Sequence, residues 1–298
     1  MVRLPRQSHP LSVALLALSL LAGCSWLGLS SDKSADLKKA PDLTADEKSE
    51  EANQPVELLY NNGVDALNQQ RYSAAASQFN LVEQNYPYSS WAVNAQLMEG
   101  YTQYLQNHYT EAIGTLDRFI QLHPAHRDVA YAYYLRALCF YEQIADIQRD
   151  QKGTELAMGA LQEVVNRFPD SAYARDARLK IDLCRDHLAG KEMAIGRWYE
   201  NQRLYEAAIG RFQRVVDDYQ TTNHAAEALH RLTEIYLKLG MKDEARKTAA
   251  VLGYNYPGSQ WYEDSYSQLL SDGLVRGGKE MPPPKQIGFL TRAWHLVF

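Results

Sequence analysis

Five alanines set the register of this chain. Ala75, Ala112, Ala157, Ala208 and Ala245 are each followed four positions on by Phe79, Leu116, Leu161, Phe212 and Ala249. Twelve positions after four of these alanines stand Pro87, Pro124, Pro169 and Pro257, and Gln220 takes that place after Ala208. Twelve positions before three of them stand Gly63, Gly100 and Gly196, and Tyr72, Tyr109 and Tyr205 keep one constant offset from the same alanines. Residues four apart share one face of a helix. Proline ends a helix, because it lacks an N–H and clashes with the preceding turn. Each unit therefore predicts a first helix with a small residue for close approach, a short turn, and a second helix that buries its alanine and the residue four beyond. No stretch of useful length alternates as a strand does.

The period is 37 residues from Ala75 to Ala112 and again from Ala208 to Ala245, but 45 from Ala112 to Ala157 and 51 from Ala157 to Ala208. The extra residues fall near 142–153 and in the helical stretch 172–201. The pattern resembles the tetratricopeptide repeat (TPR), whose standard length is about 34 residues. It predicts an all-α, right-handed superhelix of about five TPR-like helix pairs over residues 56–257, with an amphipathic capping helix over 259–270, because terminal repeats need a polar outer face. Repeats one to three occupy 55–169, and repeats four and five with the cap occupy 170–272. From 273 to 298 the glycines and the triple proline mark an irregular tail. Its "AWHLVF" alternates loosely, as the last strand of an outer-membrane barrel does; a loose or partner-bound tail is the simpler reading.

Residues 1–23 read as an export signal. Arg3 and Arg6 give a positive start, and the apolar run from Leu11 to Leu21 is shorter than the roughly 20 residues a membrane-spanning helix needs. Leu21-Ala22-Gly23-Cys24 resembles the lipobox of bacterial lipoproteins. That resemblance implies cleavage before Cys24, an S-diacylglycerol on its sulfur and an N-acyl chain on the new amine. Each buried methylene contributes about 0.8 kcal/mol, and one chain anchors only marginally, so three chains hold a protein on a bilayer. Ser25 after the cysteine is read as favouring the outer membrane. Residues 24–54, rich in Ser, Asp, Lys, Ala and Glu, form a lipidated flexible tether with a reach of about 30 Å.

The chemistry of catalysis is missing from the motifs. Neither a Ser-x-x-Lys, a G-x-S-x-G nor a phosphate loop occurs. His123 and His126 lie three apart astride Pro124, without a carboxylate or cysteine set beside them; capping and hydrogen bonding suit them better than a metal. Asp217 and Asp218 are neighbours on a helix, so they point in different directions. Cys139 and Cys184 lie in helical segments and read as buried, unpaired thiols, with pairing left open. A formal net charge of −5 without a basic run excludes nucleic acid as the partner.

Binding remains. Tyrosine is the compositional outlier, 20 against 7 phenylalanines, and it offers an aromatic face with a polar tip. Repeat superhelices bind peptides on the concave face lined by first helices. The register places there Tyr60 from unit one; Leu97, Tyr101 and Tyr104 from unit two; and Tyr131, Tyr134 and Tyr141 from unit three. Units four and five offer Met193, Arg197, Glu200, Glu234, Leu237 and Lys238. The front of this groove is aromatic and the back is mixed and charged. Packing of helix on helix is the competing reading for each tyrosine.

With the lipobox and five repeats in place, the run "FIQLHPAHRDVAYAYYLRAL" (119–138) is the most specific stretch. Together with "QRDQ" (148–151) and "RFPDSAYARDARLKI" (167–181), it resembles the BamD family, lipoproteins of the β-barrel assembly (BAM) machinery of Gram-negative outer membranes. The resemblance covers residues 24 to about 272; the tail departs from it. It implies a non-enzymatic protein without metal or cofactor, anchored at the periplasmic face of the outer membrane. It also implies amino-terminal repeats that engage targeting segments of unfolded outer-membrane β-barrel proteins. The carboxy-terminal repeats would dock on a POTRA domain of BamA, beside the other BAM subunits. On that basis Tyr60, Tyr101, Tyr104, Tyr131 and Tyr134 are candidates for substrate contact, and Arg197 and Glu234 for docking. The alternatives are a periplasmic TPR scaffold lipoprotein that coordinates cell-wall or division proteins, and an enzyme with a cryptic metal site. Replacing Cys24 by alanine is expected to move the protein from the membrane fraction to the soluble periplasm; a Cys24→Ala variant still held by washed membranes would refute lipid anchoring at this residue.

Overall fold

The computed structural model describes residues 54–275, which form eleven helices and, among those residues, no strand. They are α1 (Val56–Asn68), α2 (Tyr72–Asn85), α3 (Ser90–Leu105), α4 (Tyr109–Leu122), α5 (Val129–Tyr141), α6 (Lys152–Arg167), α7 (Ala172–Asn201), α8 (Tyr205–Asp218), α9 (His224–Lys238), α10 (Lys242–Asn255) and α11 (Gln260–Ser271). Consecutive helices pair as hairpins, α1 with α2 through α9 with α10, and α11 lies against α9 and α10 as the cap. The first helices of the units, α1, α3, α5, α7 and α9, and then α11, touch in succession and make one continuous wall. This is the expected all-α stack of five TPR-like pairs with its capping helix. The lipidation site Cys24, the tether and the tail from 276 on lie outside the described residues.

The repeat residues explain the packing. Ala75, Ala112, Ala157, Ala208 and Ala245 are all fully buried, as are Phe79, Leu116, Leu161 and Phe212. Three of these large residues, Phe79, Leu116 and Phe212, fill the space that a glycine of the opposing first helix leaves open. A Cβ on Gly63 would stand 2.7 Å from Phe79 Cε1, one on Gly100 2.9 Å from Leu116 Cδ2, and one on Gly196 2.5 Å from Phe212 Cε1. A fourth glycine of this kind, Gly253 beneath the Tyr262 ring of the cap, escaped the periodic pattern.

Two kinds of turn join the helices. Within hairpins one, two, four and five, a left-handed residue stands five positions before the repeat alanine: Gln70, Asn107, Arg203 and Gly240. The next residue donates its N–H five positions back, as Arg71 does to Ala66 (2.8 Å) and Leu204 to Tyr199 (3.0 Å), which satisfies the carbonyls at the helix end. Between units, the residues before the four prolines have φ near −130°, and Tyr219 before Gln220 has φ −128°. The turn recurs without its proline, so proline reinforces a geometry that the packing already sets. Two positions on, Ser89, Ser171 and Ser259 cap α3, α7 and α11 with their side-chain oxygens. His126 holds that register in "LHPAH": its Nδ1 accepts from the Asp128 N–H at 3.2 Å. His123 and His126 both lie against Phe119, at 5.5 and 5.3 Å between ring centres.

The long spacings have a common cause. Residues 142–151 form a loop between α5 and α6, pinned to α7 by His187 Nε2 to the Ala145 carbonyl (2.9 Å) and by Lys191 Nζ to the Gln148 carbonyl (3.0 Å). α7 runs unbroken through Gly190 for 30 residues. Its first half packs in the middle apolar cluster through Ala177, Ile181 and Cys184, and its second half packs in the last cluster through Ala189 and Met193. The chain turns at the 169/170 boundary expected between two halves, but the cores divide inside α7. Cys139 and Cys184 are buried and unpaired, and burial pushes their thiols up to about 12 and about 11, so neither presents a thiolate.

One buried carboxylate near the wall is under-satisfied. Glu99 Oε1 on α3 accepts from Gln103 Nε2 (3.1 Å) and Asn80 Nδ2 (3.5 Å), while Oε2 has no partner. Burial, and then Glu83, push its carboxyl above the usual range, with Arg118 offsetting part of the effect. A raised carboxyl opposes folding once it ionises, so Glu99→Gln is expected to melt higher than the natural chain at about pH 7.5, with the gap closing toward about pH 4. An unchanged gap across that range would overturn the assignment. Gly196→Ala should cost about 1–3 kcal/mol in urea unfolding, whereas Gly210→Ala, where nothing lies within 4 Å of the new Cβ, should be neutral or stabilising.

Candidate functional site

Spacing along the first helices determines which tyrosines meet. Residues three apart on a helix are neighbours on its surface, so Tyr101 and Tyr104 on α3 lie together, as do Tyr131 and Tyr134 on α5. The wall then brings the pairs side by side. Ring centres are 6.4 Å apart for Tyr101 and Tyr131, 5.6 Å for Tyr131 and Tyr173, and 5.3 Å for Tyr134 and Tyr173, the last pair stacked at 28°. Tyr104 leans on Tyr109 at 5.9 Å. The result is a half-buried ladder of rings crossing α3, α5 and α7.

Carboxylates orient the rungs. Tyr134 Oη donates to Asp176 Oδ2 on α7, and Tyr104 Oη donates to Glu142 Oε1 at 3.5 Å. Lys180 Nζ sits 4.6 Å from the centre of the Tyr141 ring and 3.9 Å from Asp176. Burial, then Glu142, pushes the Tyr104 hydroxyl up to about 12. Burial and neighbouring tyrosines raise Tyr131, and burial with the Asp176 hydrogen bond raises Tyr134. All three hydroxyls stay protonated through the physiological range, so the ladder offers neutral polar tips and aromatic faces in a band edged by Glu142 and Asp176.

Four of the five tyrosines expected in the groove thus meet. Tyr60 does not join them: it packs in the first apolar cluster against Phe79 (5.6 Å) and Trp91 (5.1 Å). Leu97 and Met193, expected in the groove, are core residues at 7% and 0% exposure, packed in the middle and last apolar clusters. Tyr173 was missed, although a signal for it exists. An aromatic four positions after the proline, Trp91, Tyr173 or Trp261, contacts the preceding first helix at Tyr60, at Tyr131 and Tyr134, or at His230.

The back half of the wall is charged and internally paired. Arg197 Nη1 bonds Glu227 Oε1 at 2.8 Å, and Lys238 Nζ bonds Glu200 Oε1 at 3.0 Å. Glu234 accepts from Arg231 Nη1 (2.9 Å) and Gln268 Nε2 (3.1 Å), so it fastens α9 to the cap. Burial works to raise its carboxyl, but the Gln268 hydrogen bond, His230 and Arg231 outweigh burial and hold it below the usual range. Its side chain is 17% exposed against 39% for Arg197. Of the two docking candidates, Arg197 faces an open hollow of about 550 Å³ with Ile147, Leu183 and His224, and Glu234 is spent within the fold. Among the described residues, no group of three His, Cys, Asp or Glu side chains could hold a metal, and no helix is long and apolar enough to cross a membrane.

Comparison with known proteins follows the same lines. The family model YfiO, described as an outer membrane lipoprotein, matches residues 52–252. The outer membrane protein assembly factor BamD of Caulobacter vibrioides is 48% identical over 261 residues, covering 88% of this chain and 80% of its own. That of Rickettsia prowazekii is 48% identical over 212 residues, covering 71% of this chain and 84% of its own. A solved thermophilic TPR protein from Thermus thermophilus overlays at a TM-score of 0.35 and 19% identity, covering 74% of this chain and all of that one. The family model over residues 52–252 and the two curated relatives place the chain: it belongs to the BamD (YfiO) family of outer-membrane lipoproteins.

Proposed function

We propose that this chain is a non-enzymatic, lipid-anchored subunit of the outer-membrane β-barrel assembly machinery. Its tyrosine ladder grips targeting segments of unfolded barrel proteins, and its back half docks on a POTRA domain of BamA, beside the other BAM subunits. Its curated relatives are named outer membrane protein assembly factors, which supports the assembly role. The observation that carries the binding role is the run Tyr101, Tyr131, Tyr173 and Tyr134, an aromatic band with polar tips. Such a band suits an extended segment that alternates aromatic with polar residues: rings take the aromatic side chains, and the hydroxyl oxygens of Tyr104 and Tyr134, whose protons go to carboxylates, accept from backbone N–H groups. Tyr104 belongs to the band, whereas Tyr60 lies apart from it, in its own cluster with Phe79 and Trp91. The acyl groups on Cys24 hold the band at the periplasmic face of the outer membrane, where clients are inserted. No cofactor enters this reading.

Arg197 is the favoured docking residue. Its guanidinium is partly open to solvent beside the 550 Å³ hollow and pairs with Glu227 at 2.8 Å. The test uses membranes gently extracted in detergent. Alanine at both Tyr101 and Tyr134 is expected to cut crosslinking to a terminal barrel peptide about tenfold while leaving helical content and co-purification with BamA unchanged. Arg197→Glu is expected to do the reverse. Undiminished crosslinking by the tyrosine variant would remove those residues from the site, and co-purification of peptidoglycan synthases in place of BAM subunits would favour a cell-wall scaffold.

A further inference from the structure

The tail holds what the ladder is built to take. After Val275 the chain continues with Gly277 and Gly278, a triple proline at 282–284, and then "IGFLTRAWHLVF" at 287–298. Ile287 and Phe289, and again Trp294, Leu296 and Phe298, place large apolar side chains at alternate positions, the period of an extended strand. A proline run is a semi-rigid spacer, and a spacer that ends in an apolar, aromatic stretch is the layout of a tethered peptide ligand. We propose that residues 287–298 bind in cis across the tyrosine ladder of α3, α5 and α7 and compete there with the client segment. The inference rests on the ladder being a peptide site.

Reach, charge and chemistry each support it. Ile287 lies twelve residues past Val275, so the connecting chain spans up to about 40 Å when extended. The wall leads from α11 to α9, α7 and α5 in three contacts, and adjacent helix axes lie about 8–10 Å apart, so about 30 Å separates the cap from α5. The tail is basic, with Arg276, Lys279, Lys285 and Arg292 against Glu280 alone, on a chain whose net charge is −5. The carboxylates Glu142 and Asp176 border the ladder at Tyr104 and Tyr134. Trp294 and Phe298 match rings that already pair with one another at 5.3–6.4 Å. A ligand tethered this way has an effective concentration on the order of 1 mM. If the tail binds with a dissociation constant of about 100 μM, it weakens a competing peptide about tenfold, enough to discharge weak ligands while admitting strong ones.

The test measures fluorescence anisotropy of a fluorescein-labelled twelve-residue peptide that alternates threonine and phenylalanine, titrated with the full chain in detergent. The variant carries Trp294→Asp and Phe298→Asp, both outside the described residues. The variant is expected to bind the probe about tenfold more tightly than the natural chain. Equal affinity in the two proteins overturns tail competition while leaving the ladder as a peptide site. Absence of probe binding by either protein overturns the peptide site and the inference with it. A benzophenone amino acid in place of Trp294 gives the second readout. Crosslinks to peptides of α3, α5 or α7, at monomer mass and with a yield independent of dilution, are expected. Crosslinks at dimer mass or to α9–α11 alone would overturn binding in cis to the ladder.

Discussion

Everything in this molecule depends on how closely two helices of one hairpin can approach. An alanine on the second helix and a glycine on the first let the backbones come near, and one large residue fills the remaining gap: Phe79 over Gly63, Leu116 over Gly100, Phe212 over Gly196. The close fit has an energetic reason. Interiors pack at crystal-like density, so a methyl group added at the contact must displace a ring that has nowhere to go. Three of the five hairpins are set in this way, and the first helices of all five touch in succession along one wall. Tyrosines on separate units can then form one surface.

α7 departs from the repeat, and that departure joins the middle and last cores. A helix of ordinary repeat length would end near the 169–190 region and leave the middle and last cores to meet across a loop. The 30-residue helix instead belongs to both cores. It brings Tyr173 and Asp176 to the front ladder at one end and Arg197 and Glu200 to the charged back at the other. Glu192, buried in its middle, holds Arg211 at 2.9 Å and Arg214 at 3.2 Å on α8. The 142–151 loop is fastened to the same helix. A load on either half of the wall is therefore borne by one rigid element rather than by a hinge.

Tyrosine in place of phenylalanine changes what the ladder can do. A phenylalanine surface of this size would be an aggregation hazard on a protein that meets unfolded chains. The hydroxyls keep the band wettable, and their carboxylate partners fix ring orientation before any ligand arrives, which lowers the ordering cost of binding. Burial raises all three hydroxyls, with Glu142 adding to the effect at Tyr104, neighbouring tyrosines at Tyr131 and Asp176 at Tyr134, so the band carries no charge of its own.

Local chemistry made much of this legible from the residues alone. The alanine, proline and glycine spacings determined five hairpins and their boundaries, because helix periodicity and helix termination are properties of short stretches of chain. The buried, unpaired state of Cys139 and Cys184 and the capping role of His126 followed from the same local rules. The tertiary structure decided what the spacings could not. Leu97 and Met193 lie one turn from groove residues on the same helices, yet neighbouring helices bury them in the apolar clusters. Tyr60 fell into a different cluster from Tyr101, because Trp91 fills the space between units one and two. Glu234 became a fastener for the cap rather than a free docking charge, because its partners Gln268 and Arg231 meet it only when α11 folds onto α9. Which residues recur along the chain is a matter of sequence; which of them meet, and which remain available to a partner, is a matter of how the helices rotate as they stack.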